Sequence, residues 1–98
     1  MTLFAVMRTR GAAWEPDKPM RAQRQWSEHA SFMEHLAADG FVVLGGPLGD
    51  GEDVLLAISA TDEREVRFVL QQDPWSKSEI LALRSVQPWK ILLEGPRK

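Results

Sequence analysis

The chain carries two histidines, and one of them, His29, stands where an aliphatic side chain is expected. In the stretch W-S-E-H-A-S-F-M-E-H-L-A-A-D-G, one set of residues recurs at helical spacing, namely Trp26, His29, Met33 and Leu36. A buried imidazole needs a partner for each ring nitrogen, because an unsatisfied polar group away from water costs about 1–3 kcal/mol. The sequence therefore predicts a polar partner for His29 elsewhere in the chain.

Asp73, in the motif Q-Q-D-P-W, is the candidate partner of His29. A carboxylate that accepts from one ring nitrogen fixes the tautomer of an imidazole and leaves the other nitrogen free as a general base or acid. Asp73 also follows a predicted helix, and element ends commonly present functional groups. From spacing alone two alternatives stay open: a catalytic pair of His29 with Asp73, or a structural histidine satisfied by backbone or water.

Other site chemistries find little support in the residue types. The chain has no cysteine, which excludes thiolate zinc sites, iron–sulfur clusters and cysteine nucleophiles. His35 lies about 120° around the helix from His29, and no carboxylate cluster has ligand spacing. The run at Gly45 and Gly46 lacks the phosphate-loop pattern, and no serine has a nucleophile-elbow context. We therefore expect no metal and no organic cofactor.

The charge balance bears on the choice of partner. A net charge of −2 and a pI near 5.6 argue against a nucleic-acid binder, which normally presents a basic face. The first quarter is locally basic, with Arg8, Arg10, Lys18, Arg21 and Arg24 against only Glu15 and Asp17. This set is either a solvated face or a basic rim over a pocket for an anionic small molecule. Arg8 and Arg10 are candidates for holding a substrate carboxylate, although solvated strand-end arginines have the same pattern.

Length and hydropathy predict one soluble, cytoplasmic domain spanning residues 1–98. No apolar run approaches the roughly 20 residues that span a bilayer, so no membrane partner is expected. The start, M-T-L-F-A-V-M-R, is too short and too soon charged for a signal peptide.

Apolar patterning predicts the order strand, helix, strand, strand, helix, strand. The elements are a strand at 2–8, a helix from Met20 or Arg21 to Asp39 ended by Gly40, strands at 41–44 and 54–59, a helix from Asp62 that ends by Asp73, and a strand-like segment at 80–93 interrupted by Pro88. Between them lies a loop or lid at about 9–20, whose Trp14 is either a surface anchor or a wall of a site, and a frayed tail follows at about 94–98. This order is the ferredoxin-like βαββαβ arrangement of an α+β protein.

The strands are apolar on both faces, for example at 41–44 and 54–57. Two helices can cover only one face of a four-stranded sheet, and monomers rarely expose apolar patches larger than a few hundred Å². The sequence therefore predicts a homodimer in which two sheets pack face to face.

With these motifs in place, the chain resembles the YciI-like (YCII-related) family over nearly its whole length. The likeness rests on W-S-E-H-A-S-F-M-E-H-L-A-A-D-G, V-L-G-G-P-L, Q-Q-D-P-W and V-Q-P-W-K-I. It implies a dimeric α+β barrel, a His–Asp dyad carried onto His29 and Asp73, and relatives that look like lyases removing a small leaving group from a ring substrate. One branch of the family has Asp-Gly-Pro-Phe where this chain has Gly45-Gly46-Pro47-Leu48, which argues against a function specific to that branch.

The resulting prediction is a small enzyme without metal or organic cofactor, acting on a small anionic or aromatic molecule. His29 moves a proton in an elimination or isomerisation and Asp73 orients it. Substrate-binding candidates are Arg8, Arg10, Gly46, Pro47 and Trp75. The alternative is a non-catalytic dimeric module that binds a metabolite or a partner protein in the same pocket.

Overall fold

The computed structural model describes residues 1–96. Its elements are β1 (Thr2–Arg10), α1 (Trp26–Ala38), β2 (Val42–Leu48), β3 (Asp53–Ala60), α2 (Glu63–Leu70), α3 (Pro74–Lys77) and β4 (Leu81–Pro88). All strand pairs are antiparallel, and the sheet order is β2-β3-β1-β4. The predicted α+β, ferredoxin-like protomer is therefore confirmed, with one short helix, α3, added before the last strand.

The core lies between the helices and one face of the sheet. Alternation along β1 places Phe4 and Val6 on this face, where they pack with the buried side chains of β3 and with Val66 and Leu70 of α2. Arg8 is the next residue on the same face and is also buried. The central strand thus brings a charged side chain to the buried face of the sheet.

The first helix begins later than the sequence predicts. A short 3₁₀ turn occupies Met20–Ala22, Gln25 is left-handed with φ 60°, and α1 starts at Trp26. Contacts from α3 hold this bend, since the indole N–H of Trp75 donates to the carbonyl of Arg24 and the Ser78 hydroxyl bonds Gln25. The prediction of a continuous helix from Met20 or Arg21 is therefore wrong. The predicted stop is confirmed, because Gly40 follows the helix at φ 83°.

The second helix opens with the predicted cap. Asp62 Oδ1 accepts from the Glu65 backbone N–H at 2.9 Å, and Glu65 Oε1 accepts from the Thr61 N–H at 2.7 Å. Helix α2 then ends at Leu70, and Asp73 caps the unpredicted helix α3, in which Pro74 occupies the first position. Pro74 thus ends one helix and begins the next.

Strand limits differ from the sequence predictions at three places. Strand β1 continues to Arg10, so the loop predicted from residue 9 begins at Gly11, and β2 continues through Gly45, Gly46 and Pro47. Strand β4 lies at a sheet edge, as Pro88 predicts, but ends there. The strand-like continuation to residue 93 is wrong, because regular structure ends at Pro88, opposite Phe4, and only the Trp89 N–H bonds β1 beyond that point, at the Leu3 carbonyl. Of the predicted frayed tail, residues 94–96 have no regular structure, and Arg97 and Lys98 lie outside the described residues.

The second face of the sheet carries no helix. Leu44 and Leu48 of β2 are exposed there, and Leu3, Met7 and Leu55 on the neighbouring strands are half-buried. We call this surface the open face. Across residues 1–96, no helix combines the length and apolarity needed to cross a membrane.

Candidate active site

A cavity of about 400 Å³ lies between α1, α3, the loop after β1 and the edge strand β2. Its walls are mostly aromatic and aliphatic, and they include Trp14, Trp26, Met33, Leu56 and Trp75. Two polar side chains of the interior, Arg8 and His29, also line it. A volume of this size fits a small organic molecule.

Asp73 is the centre of the polar groups beneath this cavity, with no exposed surface. Because it caps α3, its Oδ1 accepts from the Trp75 backbone N–H at 2.9 Å. Its Oδ2 accepts from Arg8 Nη1 at 2.8 Å, and both oxygens lie 2.9 Å from His29 Nδ1. The structure therefore brings His29 and Asp73 together, 44 residues apart in sequence.

The surroundings of Asp73 fix its charge. Burial by itself raises the pKa of the Asp73 carboxyl, but the hydrogen bond from His29, the charge of Arg8 and the N–H of Trp75 together lower that pKa below its usual value. An ionised carboxylate only accepts hydrogen bonds, so Nδ1 of His29 carries the proton. In the neutral ring Nε2 is then the basic nitrogen, and it has no hydrogen-bond partner among residues 1–96.

Arg8 is 1% exposed, so the expectation of a solvated strand-end arginine is wrong. Its Nη1 donates to Asp73 and its Nη2 donates to Ser76 Oγ at 2.8 Å. Ser76 in turn donates to the carbonyl of Leu70 at 2.7 Å. Both terminal nitrogens of Arg8 are therefore engaged, and its observed contacts hold the Asp73 carboxylate in place. The role of Arg8 in holding a substrate carboxylate remains a prediction.

Aromatic packing fixes the plane of the imidazole. The His29 ring stacks on the Trp75 indole with centroids 3.9 Å apart and planes 5° apart. Trp26 lies tilted at 5.9 Å from the same imidazole, and Trp14 meets Trp75 edge-on at 5.8 Å. Of the two alternatives for Trp14, the structure therefore favours a wall of the site over a surface anchor.

Of the other predicted binding residues, Gly46 and Pro47 line the cavity from β2, whereas Arg10 does not line it. Gly45 beside them has a steric role, because a Cβ there would lie 2.5 Å from a methyl group of Leu56. The Arg10 guanidinium lies over Trp14, 4.8 Å from the ring centroid, and supports that wall from behind.

The comparisons with known proteins concern the fold and one activity. No protein-family model matches the chain, and no curated protein matches it. A solved structure does match: 5-chloro-2-hydroxyhydroquinone dehydrochlorinase (TftG) from Burkholderia phenoliruptrix AC1100, in complex with 2,5-dihydroxybenzoquinone. The chain is similar to a dehydrochlorinase. The two are 26% identical, the match covers 90% of this chain and 93% of TftG, and the TM-score is 0.68.

The TftG match supports the ferredoxin-like fold expected from the motifs, while the YciI-like resemblance rests on those motifs alone. Because the match covers nine-tenths of this chain, the likeness to TftG is one of whole domains and not of a single motif. Among residues 1–96, no three His, Asp or Glu side chains lie close enough to hold a metal ion.

Ser76 was not among the predicted site residues, and Arg8 was predicted to bind substrate rather than to be buried against Asp73; only the burial of Arg8 had a sequence signal. The alternation of Phe4, Val6 and Arg8 along β1 indicates that Arg8 shares the buried face. Ser76 had none, because α3 places it beside Arg8 and a four-residue helix has no periodicity to detect. Of the basic residues in the first quarter, only Arg8 lines the cavity, which disfavours a basic rim.

Acid is expected to destabilise the fold partly through Asp73. Its folded-state pKa is lowered, so the stability it contributes is fully present above its unfolded pKa of about 4 and is lost as pH falls through the folded value. We expect the free energy of unfolding, measured by urea titration from pH 6 to pH 2, to fall less steeply for Asp73→Asn than for the parent chain. Asp17→Asn, in the exposed loop, is the control and keeps the parent slope; equal slopes for all three chains would contradict the assignment.

Proposed function

We propose that this chain is a small YciI-like enzyme in which His29 moves a proton during an elimination or isomerisation of a small ring compound. Asp73 holds the imidazole and is a positioning residue. One observation carries the proposal: Nδ1 of His29 contacts both oxygens of a buried, ionised carboxylate, while Nε2, beside an aromatic cavity, has no partner among residues 1–96. This is the arrangement of a general base with a fixed tautomer.

The site suits an elimination with a weakly basic leaving group. Nε2 of His29 takes the proton of a ring hydroxyl and delivers it to the ring carbon that bears the leaving group, which makes that carbon tetrahedral. Loss of a second hydroxyl proton then moves an electron pair into the ring, and the leaving group departs with the electron pair of its bond. Loss of HX in this way is redox-neutral and needs no co-reactant. Arg8 and Asp73 are engaged with each other and are poorly placed to protonate a departing group. Chloride leaves without a proton, and the dehydrochlorinase activity named for TftG supports this choice of reaction class.

The shape of the cavity supports a flat, ring-shaped ligand. Trp14, Trp26 and Trp75 present indole surfaces around His29, and β2 closes one side with Gly46 and Pro47. Aromatic walls bind planar rings through stacking and apolar contact. The ligand of TftG, 2,5-dihydroxybenzoquinone, has this shape.

Chloride release is the test of the proposed activity. We expect the purified chain to release chloride from 5-chloro-2-hydroxyhydroquinone, or from a chlorinated hydroquinone analogue, faster than buffer does, with one chloride per molecule consumed. Tryptophan fluorescence measures binding of 2,5-dihydroxybenzoquinone in parallel. Binding without any chloride release contradicts the proposed enzyme and favours the non-catalytic binding module. If the chain neither binds the quinone nor releases chloride, the proposal of a ring-binding site is contradicted.

We also propose that the chain is a homodimer, because the open face carries exposed leucines that a monomer leaves in water. We further propose that the protein is cytoplasmic and needs no metal or organic cofactor. Light scattering at micromolar concentration is expected to give twice the protomer mass of 11.1 kDa. A mass of one protomer contradicts the homodimer.

A further inference from the structure

Among residues 1–96, the cavity offers a departing anion no free cation other than His29. The ionisable side chains that line it are Arg8, His29 and Glu34. The two terminal nitrogens of Arg8 already donate to Asp73 and to Ser76. Glu34 carries a negative charge, which repels an anion. The cavity therefore contains the means to move a proton but no group dedicated to a departing halide.

The proton has a stable place on His29 while it is in transit. Nδ1 of His29 lies 2.9 Å from both oxygens of Asp73, and donors from Arg8 and Trp75 fix the position of that carboxylate. The Trp75 indole lies flat against the imidazole, with ring centroids 3.9 Å apart. A carboxylate at the edge of the ring and an aromatic face against it both stabilise the cationic imidazolium. His29 can therefore take a proton from one ligand atom and release it to another.

One nitrogen can serve both a ring oxygen and the ring carbon ortho to it. A single ring atom separates a hydroxyl oxygen from the ortho carbon, so a small shift of a flat ligand brings either atom to Nε2 of His29. The aromatic walls permit this shift, because stacking contacts bind a ring without holding it at one point. Stabilising the transition state lowers the barrier in both directions, so the proton can pass from oxygen to carbon or from carbon to oxygen.

We infer that the same site isomerises rings that carry no leaving group, and that its substrates in this reaction are six-membered cyclic enediones. The inference rests on the proton transfer by His29 proposed above. Nε2 takes a proton from the carbon next to a ring carbonyl, the electron pair of the C–H bond forms a ring C=C bond, and the proton passes to the carbonyl oxygen. Two such transfers convert 2-cyclohexene-1,4-dione into its isomer hydroquinone. Because the two compounds have the same composition, no oxidant, reductant or co-reactant takes part.

Formation of hydroquinone from 2-cyclohexene-1,4-dione tests the inference. In anaerobic buffer, we expect the full chain to form hydroquinone about tenfold or more faster than buffer alone, a small part of what one positioned base contributes. Ultraviolet absorbance follows the rate, and chromatography identifies the product. The chain has no cysteine, so addition of a protein thiol does not consume the enedione. A rate no faster than that of buffer contradicts the inference.

Substitution of the two histidines of α1 assigns the reaction to the site. His29→Gln is expected to lose the rate above buffer, whereas His35→Gln is expected to keep it, because His35 does not line the cavity. Circular dichroism checks that both variants are folded. Parent-like turnover in His29→Gln contradicts the inference.

Inhibition gives a readout that does not depend on the folding of a variant. We expect 2,5-dihydroxybenzoquinone to inhibit hydroquinone formation by the parent chain, because the two ring compounds compete for one cavity. Full activity in the presence of the quinone contradicts the inference.

Chloride release separates this inference from the proposed function. Hydroquinone formation together with chloride release from the chlorinated ring supports both. Chloride release without hydroquinone formation leaves the elimination in place and contradicts the isomerisation. Hydroquinone formation without chloride release supports the isomerisation and contradicts the elimination.

Discussion

Replacing Arg8 with methionine is expected to lower the free energy of unfolding by about 3–5 kcal/mol, among the largest single-residue losses in the chain. Methionine keeps much of the side-chain volume but leaves the Asp73 carboxylate buried with no cation other than a protonated His29 to balance it. Ser76 Oγ also loses the donor of a 2.8 Å hydrogen bond. Urea unfolding at fixed protomer concentration, followed by the fluorescence of the four tryptophans, measures the loss.

The control for Arg8 is Arg84, which forms an ion pair of similar length. Arg84 Nη1 lies 2.9 Å from Asp53 Oδ2, but its side chain is 60% exposed. Arg84→Met is expected to cost no more than about 1 kcal/mol, because solvent screens exposed pairs. Adding Asp73→Asn to Arg8→Met removes the unbalanced charge and is expected to restore part of the stability. Similar losses for Arg8→Met and Arg84→Met would contradict a charge-balancing role for Arg8.

The element order could be predicted because its signals are local. The capping pair Asp62 and Glu65 opens α2, Gly40 ends α1, and alternation marks β1, so each needs only a few neighbouring residues. The sheet topology followed from the order of elements, since few arrangements bury the apolar faces of two helices and four strands.

The bend before α1 and the helix α3 could not be predicted in this way. Gln25 is left-handed because contacts from Trp75 and Ser78, some 50 residues away, hold the chain there. Pro74 was interpreted as the end of a helix, which is correct for α2, but proline also fits the first position of the helix that follows. A helix of four residues gives no periodic pattern.

The contact between His29 and Asp73 could be anticipated because an imidazole on a buried helix face needs a partner. Arg8 was misjudged, since one strand-end arginine has the same local pattern whether it is solvated or buried. The aromatic stack of His29 on Trp75 depends on α3 and had no sequence signal. The sequence thus indicated the histidine to which we assign proton transfer, while the residues that hold it depend on tertiary contacts.

Replacing His29 with alanine or glutamine is expected to slow chloride release by about 10²–10⁴-fold, the range that one positioned acid–base group contributes. Both variants lack the ring nitrogen that accepts the proton. Glutamine can still donate from its amide to Asp73, so a purely structural role for His29 would be partly preserved in His29→Gln and lost in His29→Ala. Steady-state rates, with binding of 2,5-dihydroxybenzoquinone measured by fluorescence, separate turnover from affinity.

His35→Gln is the matched control, because His35 lies on the same helix but does not line the cavity. It is expected to keep the parent rate, which shows that losing a histidine from α1 is not itself harmful. If His29→Gln binds the quinone and releases chloride at the parent rate, proton transfer by His29 is contradicted. If instead both His29 variants bind the quinone and neither turns over, the loss lies in the chemical step. That result supports proton transfer by His29 over a packing role, because packing does not distinguish the bound ligand from its transition state.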